Sequence, residues 1–291
     1  MFQGAATALI TPFTDNGVDF DALQRLLESQ LRGNIDALLV CGTTGEPPTM
    51  TQQERESVIA FCIDYVNHRV PVFIGTGSNC TATAVQNSIA AQKAGADGLL
   101  VVTPYYNKCT QDGLVLHYRA VCESVDIPVI AYNIPGRTGV NILPETAARL
   151  AELPNLRGLK EACGKLDQIA RTAELLKGSQ VSLYSGDDAL ATQIIAMGGQ
   201  GVISVASNLI PDAMHRMAMA AVQGDTATAE QLNAKYSELF RELFCEVNPI
   251  PVKYACSLMG LCRNIVRMPL TPVSEAGAQR VRHAMQACGI L

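Results

Sequence analysis

The 291-residue sequence is 48% hydrophobic and 17% charged, enough apolar material for the core of one large α/β barrel or of two ordinary domains. Its net charge is −5 without a cluster of lysine or arginine, so neither nucleic acid nor an anionic membrane is expected as a partner. No apolar run reaches the roughly 18 residues of a membrane-spanning helix, and the first residues lack the pattern of a signal peptide, so we expect a cytoplasmic protein.

Eight short apolar segments rich in β-forming residues recur along the chain, with helical apolar spacing between them. They are Gly4–Ile10, Ile35–Cys41, Val70–Gly75, Gly98–Val102, Ile127–Tyr132, Leu156–Lys160, Val181–Ser185 and Gln200–Val205. Boundary signals agree, because Thr51-x-x-Glu54 predicts a capping box and Pro144 predicts the first residue of a helix. Segments that are buried on both faces and alternate with helices predict a parallel sheet, and eight such units predict a closed (β/α)8 TIM barrel.

The strand pattern stops near Pro211, and only helical segments follow, interrupted at Asn248–Pro251 and at Pro269–Pro272. No linker or low-complexity stretch separates this region from the rest. We therefore predict a barrel over residues 1–210 and a C-terminal helical appendage, residues 211–291, packed on it as a single structural unit.

Ten cysteines are scattered along the chain without a C-x-x-C pair, and most lie inside apolar runs. This distribution predicts small buried side chains in a reducing compartment. The four histidines show no metal-ligand spacing with the cysteines, so no metal site is expected.

In a barrel of this kind, chemistry takes place where the strands end, so the residues at those positions are the candidates for function. After the second segment, Thr43 and Thr44 lie in a glycine-rich turn whose hydroxyls and free N–H groups suit a carboxylate. Taken alone, an ordinary Gly/Thr turn explains the same residues. The turn Gly75–Ser78 lacks the third glycine and the downstream acid of a dinucleotide fingerprint, so no nucleotide is expected there.

The fourth and fifth segments end in aromatic hydroxyls. Tyr105 and Tyr106 follow the fourth, and Tyr132 ends the fifth. Arg137 comes five residues after Tyr132, and its guanidinium can bind a carboxylate through two hydrogen bonds. The pair Asp187–Asp188 after the seventh segment is more typical of a helix N-cap than of a catalytic acid and base.

Lys160 ends the sixth segment and is the predicted nucleophile. A lysine that closes a buried strand cannot easily reach solvent, and desolvation disfavours its ammonium form. The free amine can attack a carbonyl and form a Schiff base. A solvated strand-end lysine is the ordinary alternative, but the polar groups predicted at the same barrel end favour the catalytic interpretation. Lys253, the competing lysine, lies at a helix start outside the barrel pattern, where a solvated charge is expected.

Four segments together resemble the dihydrodipicolinate synthase / N-acetylneuraminate lyase family, and the match covers essentially the whole chain. They are Gly42–Glu46, Tyr105–Tyr106, Tyr132–Gly139 and Gly158–Glu161, with further similarity at Asn248–Lys253. The resemblance implies a Schiff-base lyase with no cofactor. Arg137 favours the synthase branch, which condenses pyruvate with L-aspartate 4-semialdehyde in lysine and diaminopimelate biosynthesis, because the sialate lyases lack this arginine.

Two other functions stay open at this point. One is another pyruvate-dependent class I aldolase of the family, such as an N-acetylneuraminate or 2-keto-3-deoxy-sugar-acid lyase, which would share Lys160 and Tyr132. The other is a catalytically silent sensor of pyruvate or an amino acid. A sensor would be expected to lose Lys160, Tyr132 or Thr43, and all three are present.

The resemblance implies a catalytic role for four residues. Lys160 would form an imine with pyruvate, Tyr132 would be the general acid and base, and Thr43 and Tyr106 would relay protons to it. The tyrosine that Tyr106 matches reaches into the neighbouring subunit's site, which implies a homo-oligomer, with a tetramer built as a dimer of dimers.

The resemblance also implies which residues bind the substrates. Thr44 would hold the carboxylate of pyruvate, and Arg137 that of the semialdehyde. Gly186 and Ile203 match positions whose main chain lines the pocket.

Regulation by lysine is where the sequence departs from the family pattern. Members inhibited by lysine bind it at the dimer interface through residues that Asn79 and Tyr105 match here. A glutamate is expected at Thr83 and histidines at Gln52 and Arg55, and these are absent. A cationic ligand without its carboxylate partner, next to an arginine, is poorly compensated. We therefore predict weak or absent inhibition by lysine.

Overall fold

The computed structural model describes all 291 residues and contains a closed barrel of eight parallel strands. The strands are β1 (Gly4–Ala8), β2 (Ala37–Val40), β3 (Val72–Gly75), β4 (Gly98–Val102), β5 (Val129–Asn133), β6 (Leu156–Glu161), β7 (Ser182–Ser185) and β8 (Gly201–Ser204). Each strand pairs with its sequence neighbour, and β1 pairs with both β2 and β8 to close the barrel. The predicted TIM barrel is confirmed, and each predicted segment overlaps one strand, with β5 and β6 ending one residue beyond their segments.

Helices follow the strands and cover the outside of the barrel. They are α1 (Phe20–Arg32), α2 (Gln52–Val66), α3 (Thr81–Lys93), α4 (Gln111–Cys122), α5 (Pro135–Thr138), α6 (Pro144–Leu150), α7 (Leu166–Leu176), α8 (Ala191–Ala196), α9 (Pro211–Val222), α10 (Thr226–Glu242), α11 (Ile250–Leu258) and α12 (Glu275–Ala287). The capping box of Thr51 and Glu54 at the start of α2 is confirmed, as is Pro144 at the start of α6. No helix is both long and apolar enough to cross a membrane.

Two hydrophobic layers result from this arrangement. The larger layer lies between the strands and the helices, and a smaller cluster fills the inside of the barrel. Phe2 closes the amino end of the interior, since its ring stacks on Tyr184 at 4.5 Å and meets Phe73 edge-on at 5.8 Å between ring centroids. The interior is therefore filled at this end, and polar side chains collect at the carboxyl end of the strands.

The C-terminal region is tied to the barrel through α9 and α11. Helix α9 packs against β1 and so completes the eighth βα unit of the barrel. The predicted boundary at residue 210 therefore falls just before the last helix of the barrel. Lys253 on α11 is fully buried and forms a salt bridge with the buried Glu46 after β2. The expectation of a solvated Lys253 was wrong, because α11 lies against the barrel mouth and not in solvent.

Candidate active site

The pairing of β5 with β6 brings the predicted nucleophile and the predicted acid–base residue together. Tyr132 and Lys160 are direct partners in the parallel register, so both side chains point into the barrel at the same height. The Nζ atom of Lys160 lies 4.3 Å from the centroid of the Tyr132 ring. Strand β6 continues to Glu161, so Lys160 is its penultimate residue and is held by strand backbone on both sides.

Burial shifts the pKa values of both Lys160 and Tyr132. Lys160 is only 5% exposed, and this desolvation lowers the pKa of its ammonium to about 8, with the positive charge of Arg137 adding to the effect and Asp188 opposing it. Burial raises the pKa of the Tyr132 phenol, against the opposing influence of Arg137 and Thr43. Lys160 therefore supplies a useful fraction of free amine near neutral pH, while Tyr132 stays a protonated hydroxyl.

Gly186 keeps the space around Lys160 open. A Cβ atom at this position would lie 2.9 Å from Cε of Lys160 and 2.8 Å from Cβ of Ala162. Any side chain there would push against the nucleophile. Gly186 follows β7 and lines the cavity.

The glycine-rich turn after β2 forms a short 3-10 helix, Thr43–Gly45, whose two threonines line the cavity. Thr44 is 3% exposed, and its Oγ1 accepts a hydrogen bond from Nδ2 of Asn248 at 3.0 Å. The left-handed backbone of Glu46, with φ of 56°, ends the turn and directs its carboxylate to Lys253. The salt bridge between Glu46 and Lys253 and the hydrogen bond from Asn248 to Thr44 therefore hold the turn in place.

Arg137 lies on the short helix α5 at the rim of the cavity. Its Nη2 donates to the main-chain oxygen of Asn248 at 3.2 Å. Seven of the eight strands, or the loops that directly follow them, and the C-terminal region line the cavity: Ala8, Leu39, Thr43, Thr44, Leu100, Tyr132, Ile134, Arg137, Lys160, Gly186, Val205, Phe244 and Asn248. No aspartate or glutamate is among them, so the polar groups of the cavity are suited to anions such as keto acids.

Two of the predicted site residues, Tyr106 and Ile203, are not among the residues that line the cavity of the single chain. Tyr106 is 90% exposed and does not line the cavity of its own chain. Ile203 lies in the hydrophobic cluster inside the barrel, and Val205, two residues later, lines the cavity. Of the two residues assigned to lysine binding, Tyr105 is 38% exposed, and the main-chain oxygen of Asn79 accepts a hydrogen bond from Asn107 at 2.9 Å.

The acidic pair after β7 does not cap a helix, so that prediction was wrong. Helix α8 begins at Ala191 without a side-chain cap. The Oδ2 atom of Asp188 accepts hydrogen bonds from the N–H groups of Val205 and Ala206 at 3.1 and 2.9 Å. Asp188 therefore ties the loop after β8 to the loop after β7, a contact between separate segments that sequence spacing cannot predict.

The sequence also missed residues that the C-terminal region contributes. Asn248 and Phe244 line the cavity although they follow the last strand by some 40 residues. The signals at this segment were the interruption of the helical pattern at Asn248–Pro251 and the family similarity at Asn248–Lys253, neither of which gave Asn248 a role in the cavity. No group of three or more histidine, cysteine, aspartate or glutamate side chains is placed to hold a metal ion.

This geometry can be compared with known proteins. The sequence model of the dihydrodipicolinate synthetase family matches residues 1–288. The 4-hydroxy-tetrahydrodipicolinate synthase of Alkaliphilus oremlandii is 46% identical over 291 residues, which cover 100% of both chains.

Solved structures agree with this match. The chloride-inhibited dihydrodipicolinate synthase of Acinetobacter baumannii, crystallised with pyruvate, is 42% identical over 100% of both chains, with a TM-score of 0.98. A structure described as a monomeric dihydrodipicolinate synthase variant is 43% identical over 100% of this chain and 98% of that one, also with a TM-score of 0.98. The family resemblance is thus confirmed over the full length, and the chain belongs to the dihydrodipicolinate synthetase family.

Proposed function

We propose that the chain is a lyase that condenses pyruvate with L-aspartate 4-semialdehyde to give 4-hydroxy-tetrahydrodipicolinate, a step of lysine and diaminopimelate biosynthesis. The observation that carries the proposal is the buried amine of Lys160 beside the Tyr132 phenol, in a cavity that contains a guanidinium and no carboxylate. The family's named relatives are synthases of this kind. We place the reaction in the cytoplasm, with no cofactor beyond the imine on Lys160.

The reaction starts with attack of the free amine of Lys160 on the keto carbon of pyruvate. Loss of water gives an imine, and loss of a methyl proton gives an enamine, since the protonated imine nitrogen accepts the electron pair. The enamine carbon then bonds to the aldehyde carbon of the semialdehyde. Finally the substrate's own amino group adds to the imine carbon and Lys160 leaves as a free amine, which closes the ring.

Each of these steps moves a proton, and we assign that task to Tyr132. Its pKa is raised by burial, so a lone phenol would exchange protons slowly near neutral pH. A relay solves this problem because the hydroxyls of Thr43 and of a second tyrosine can pass the proton along without a free phenolate. We assign Thr43 and Tyr106 to the relay.

Substrate binding is divided between two anion sites. We assign the carboxylate of pyruvate to Thr44 and the nearby N–H groups. We also assign a contact with the substrate to the main chain of Gly186 and to that of Ile203, whose side chain lies inside the barrel. We assign the carboxylate of the semialdehyde to Arg137 at the rim. No carboxylate lines the cavity to compete for either site.

Replacement of Arg137 tests this division. Arg137→Ala should raise the KM for the semialdehyde about 10- to 100-fold, the effect of losing hydrogen bonds to a charged group. Pyruvate binding should change little, because Thr44 keeps its contacts. Steady-state kinetics with each substrate varied in turn gives both numbers. An equal rise in both KM values would contradict the assignment.

The relay requires a second subunit. Tyr106 is 90% exposed and does not line the cavity of its own chain, so its hydroxyl is free to contact a second subunit. We propose that it completes the partner's site in a homodimer, and that two dimers form a tetramer. One structural relative is described as monomeric, so the assembly state has to be measured directly.

Mixing two inactive variants tests the shared site. Co-expression of Tyr106→Ala with Lys160→Ala in equal amounts should restore roughly a quarter of wild-type activity, since half of random dimers are hybrids with one intact site of two. The matched control mixes Tyr132→Ala with Lys160→Ala, where no intact site can form. Recovery in neither mixture would place Tyr106 outside the partner's site.

Lysine should inhibit weakly or not at all. Nη2 of Arg55 donates to the main-chain oxygen of Gly75 at 2.9 Å, which holds a fixed positive charge near the expected effector position. Initial rates with increasing lysine at constant ionic strength measure the effect. Half-inhibition at micromolar lysine would show that Asn79 and Tyr105 suffice for an effector site.

Borohydride reduction followed by intact-mass measurement tests the proposed function itself. Pyruvate should leave a reduced adduct on Lys160, and a coupled assay should show turnover of the semialdehyde. N-acetylneuraminate as sole substrate should leave none. An adduct from the sugar acid would favour the lyase alternative, and no adduct from either compound would refute Schiff-base chemistry.

A further inference from the structure

Asn248 lies between the two proposed anion sites. Its Nδ2 donates to Oγ1 of Thr44 at 3.0 Å, and its main-chain oxygen accepts from Nη2 of Arg137 at 3.2 Å. The residue is only 5% exposed and lines the cavity. A single residue of the C-terminal region therefore contacts both groups that we assign to substrate carboxylates.

The other end of this amide has no partner. Oδ1 of Asn248 is buried and accepts no hydrogen bond from the protein. Leaving a buried carbonyl oxygen without a donor is unfavourable, and such groups in folded proteins usually find one. Because Asn248 lines the cavity, a donor group on a bound substrate would supply the missing hydrogen bond.

The contact with Thr44 determines which end of the Asn248 amide stays without a partner. With Nδ2 as the donor to Oγ1, the hydroxyl proton of Thr44 stays free to donate to the carboxylate of pyruvate. In the reversed orientation the amide oxygen would consume that proton. Only the first orientation serves the anion site, and it leaves Oδ1 as the free acceptor.

The position of Asn248 is fixed before substrate arrives. Helix α11 begins two residues later, and its Lys253 is joined to Glu46 by a fully buried salt bridge. Glu46 also accepts from the N–H of Arg267 at 3.1 Å, and it directly follows the turn that carries Thr44. The acceptor and the anion turn thus belong to one rigid unit.

We infer that Oδ1 of Asn248 accepts a hydrogen bond from the amino group of the semialdehyde, an inference that rests on the proposed function. In this substrate the amine is on the carbon next to the carboxylate, so binding of the carboxylate to Arg137 brings the amine beside Asn248. No aspartate or glutamate lines the cavity, and Asn248 offers its only side-chain carbonyl oxygen. The contact selects aldehydes that carry an amino group next to the carboxylate, and it holds this amine ready to displace Lys160.

Two variants and two aldehydes test this contact. Asn248→Leu removes the acceptor, whereas Asn248→Asp keeps an acceptor and loses the donor to Thr44. Both keep the main-chain contact with Arg137. The KM for L-aspartate 4-semialdehyde is compared with the inhibition constant of succinic semialdehyde, the same molecule without the amine. Circular dichroism reports whether each variant folds.

Asn248→Leu should raise the KM for the amino aldehyde about 10- to 100-fold and change the inhibition constant of the desamino aldehyde by less than about threefold. Asn248→Asp should keep the wild-type ratio of the two constants and weaken pyruvate trapping. Should the leucine variant fail to fold, a collapsed ratio in the aspartate variant would overturn the inference. Equal changes for both aldehydes in Asn248→Leu would also overturn it.

The proposed function can fail separately. A wild-type protein that traps pyruvate but does not turn over the amino aldehyde would refute the synthase reaction, and with it this inference. Normal turnover by the wild type together with an unaltered ratio in Asn248→Leu would refute the inference alone.

Discussion

Lys160→Ala should abolish adduct formation with pyruvate altogether and reduce turnover to background. The variant removes the only amine that lines the cavity, and no second lysine can replace it, because Lys253 is fully buried in its salt bridge with Glu46. Intact-mass measurement after borohydride treatment gives the result directly. Lys165→Ala is the matched control, because Lys165 lies five residues after Lys160 and is exposed. In this variant the pyruvate adduct on Lys160 should form as in the wild type.

The rate at which pyruvate forms its adduct with Lys160 should depend on pH, because only the unprotonated amine reacts. Burial lowers the pKa of its ammonium to about 8, so the free amine predominates above that pH and declines about tenfold per pH unit well below it. The initial rate of adduct formation should therefore rise with pH and level off above about 8. A residual adduct in Lys160→Ala at any pH would place the nucleophile elsewhere.

Tyr132→Phe should keep pyruvate binding and lower kcat by roughly 10²- to 10⁴-fold, the usual range for a lost general acid and base. The phenyl ring preserves the packing next to Lys160, so the loss is confined to proton transfer. Stopped-flow measurement of imine formation and steady-state kinetics separate the two effects.

A second tyrosine provides the control for this variant. Tyr118 on α4 is fully buried, and its hydroxyl donates to the main-chain oxygen of Val101 at 2.9 Å, outside the barrel. Tyr118→Phe should lose about 1 kcal/mol of stability and no activity. If Tyr132→Phe turned over at the wild-type rate, the proton relay would have to start from another group.

The large effects expected for Lys160→Ala and Tyr132→Phe share one structural cause, the register in which β5 pairs with β6. Pairing of Tyr132 with Lys160 places nucleophile and acid–base residue side by side without any loop contribution. Asn133 and Glu161 form the next pair, and the amide of Asn133 donates to the buried carboxylate of Glu161 at 3.0 Å on the outside of the barrel. A slip of this register by one residue would turn Lys160 away from the cavity.

Local sequence was sufficient for the barrel and for the residues at its strand ends. Apolar segments alternating with helices require a parallel sheet, and eight of them close it, so Thr43, Tyr132, Lys160 and Gly186 could be placed at one end before any coordinates were known. A strand end is a local property of the chain. Its position in a barrel follows from topology alone.

Only the tertiary structure shows which distant residues contact one another at the mouth of the barrel. The burial of Lys253, the tie from Asp188 to the loop after β8 and the contact of Asn248 with Thr44 join segments far apart in sequence. Their side chains look like ordinary surface or capping residues until the packing of α11 against the barrel is known. Pairing between distant groups depends on where helices dock, and hydrophobic spacing along one helix does not encode its docking partner.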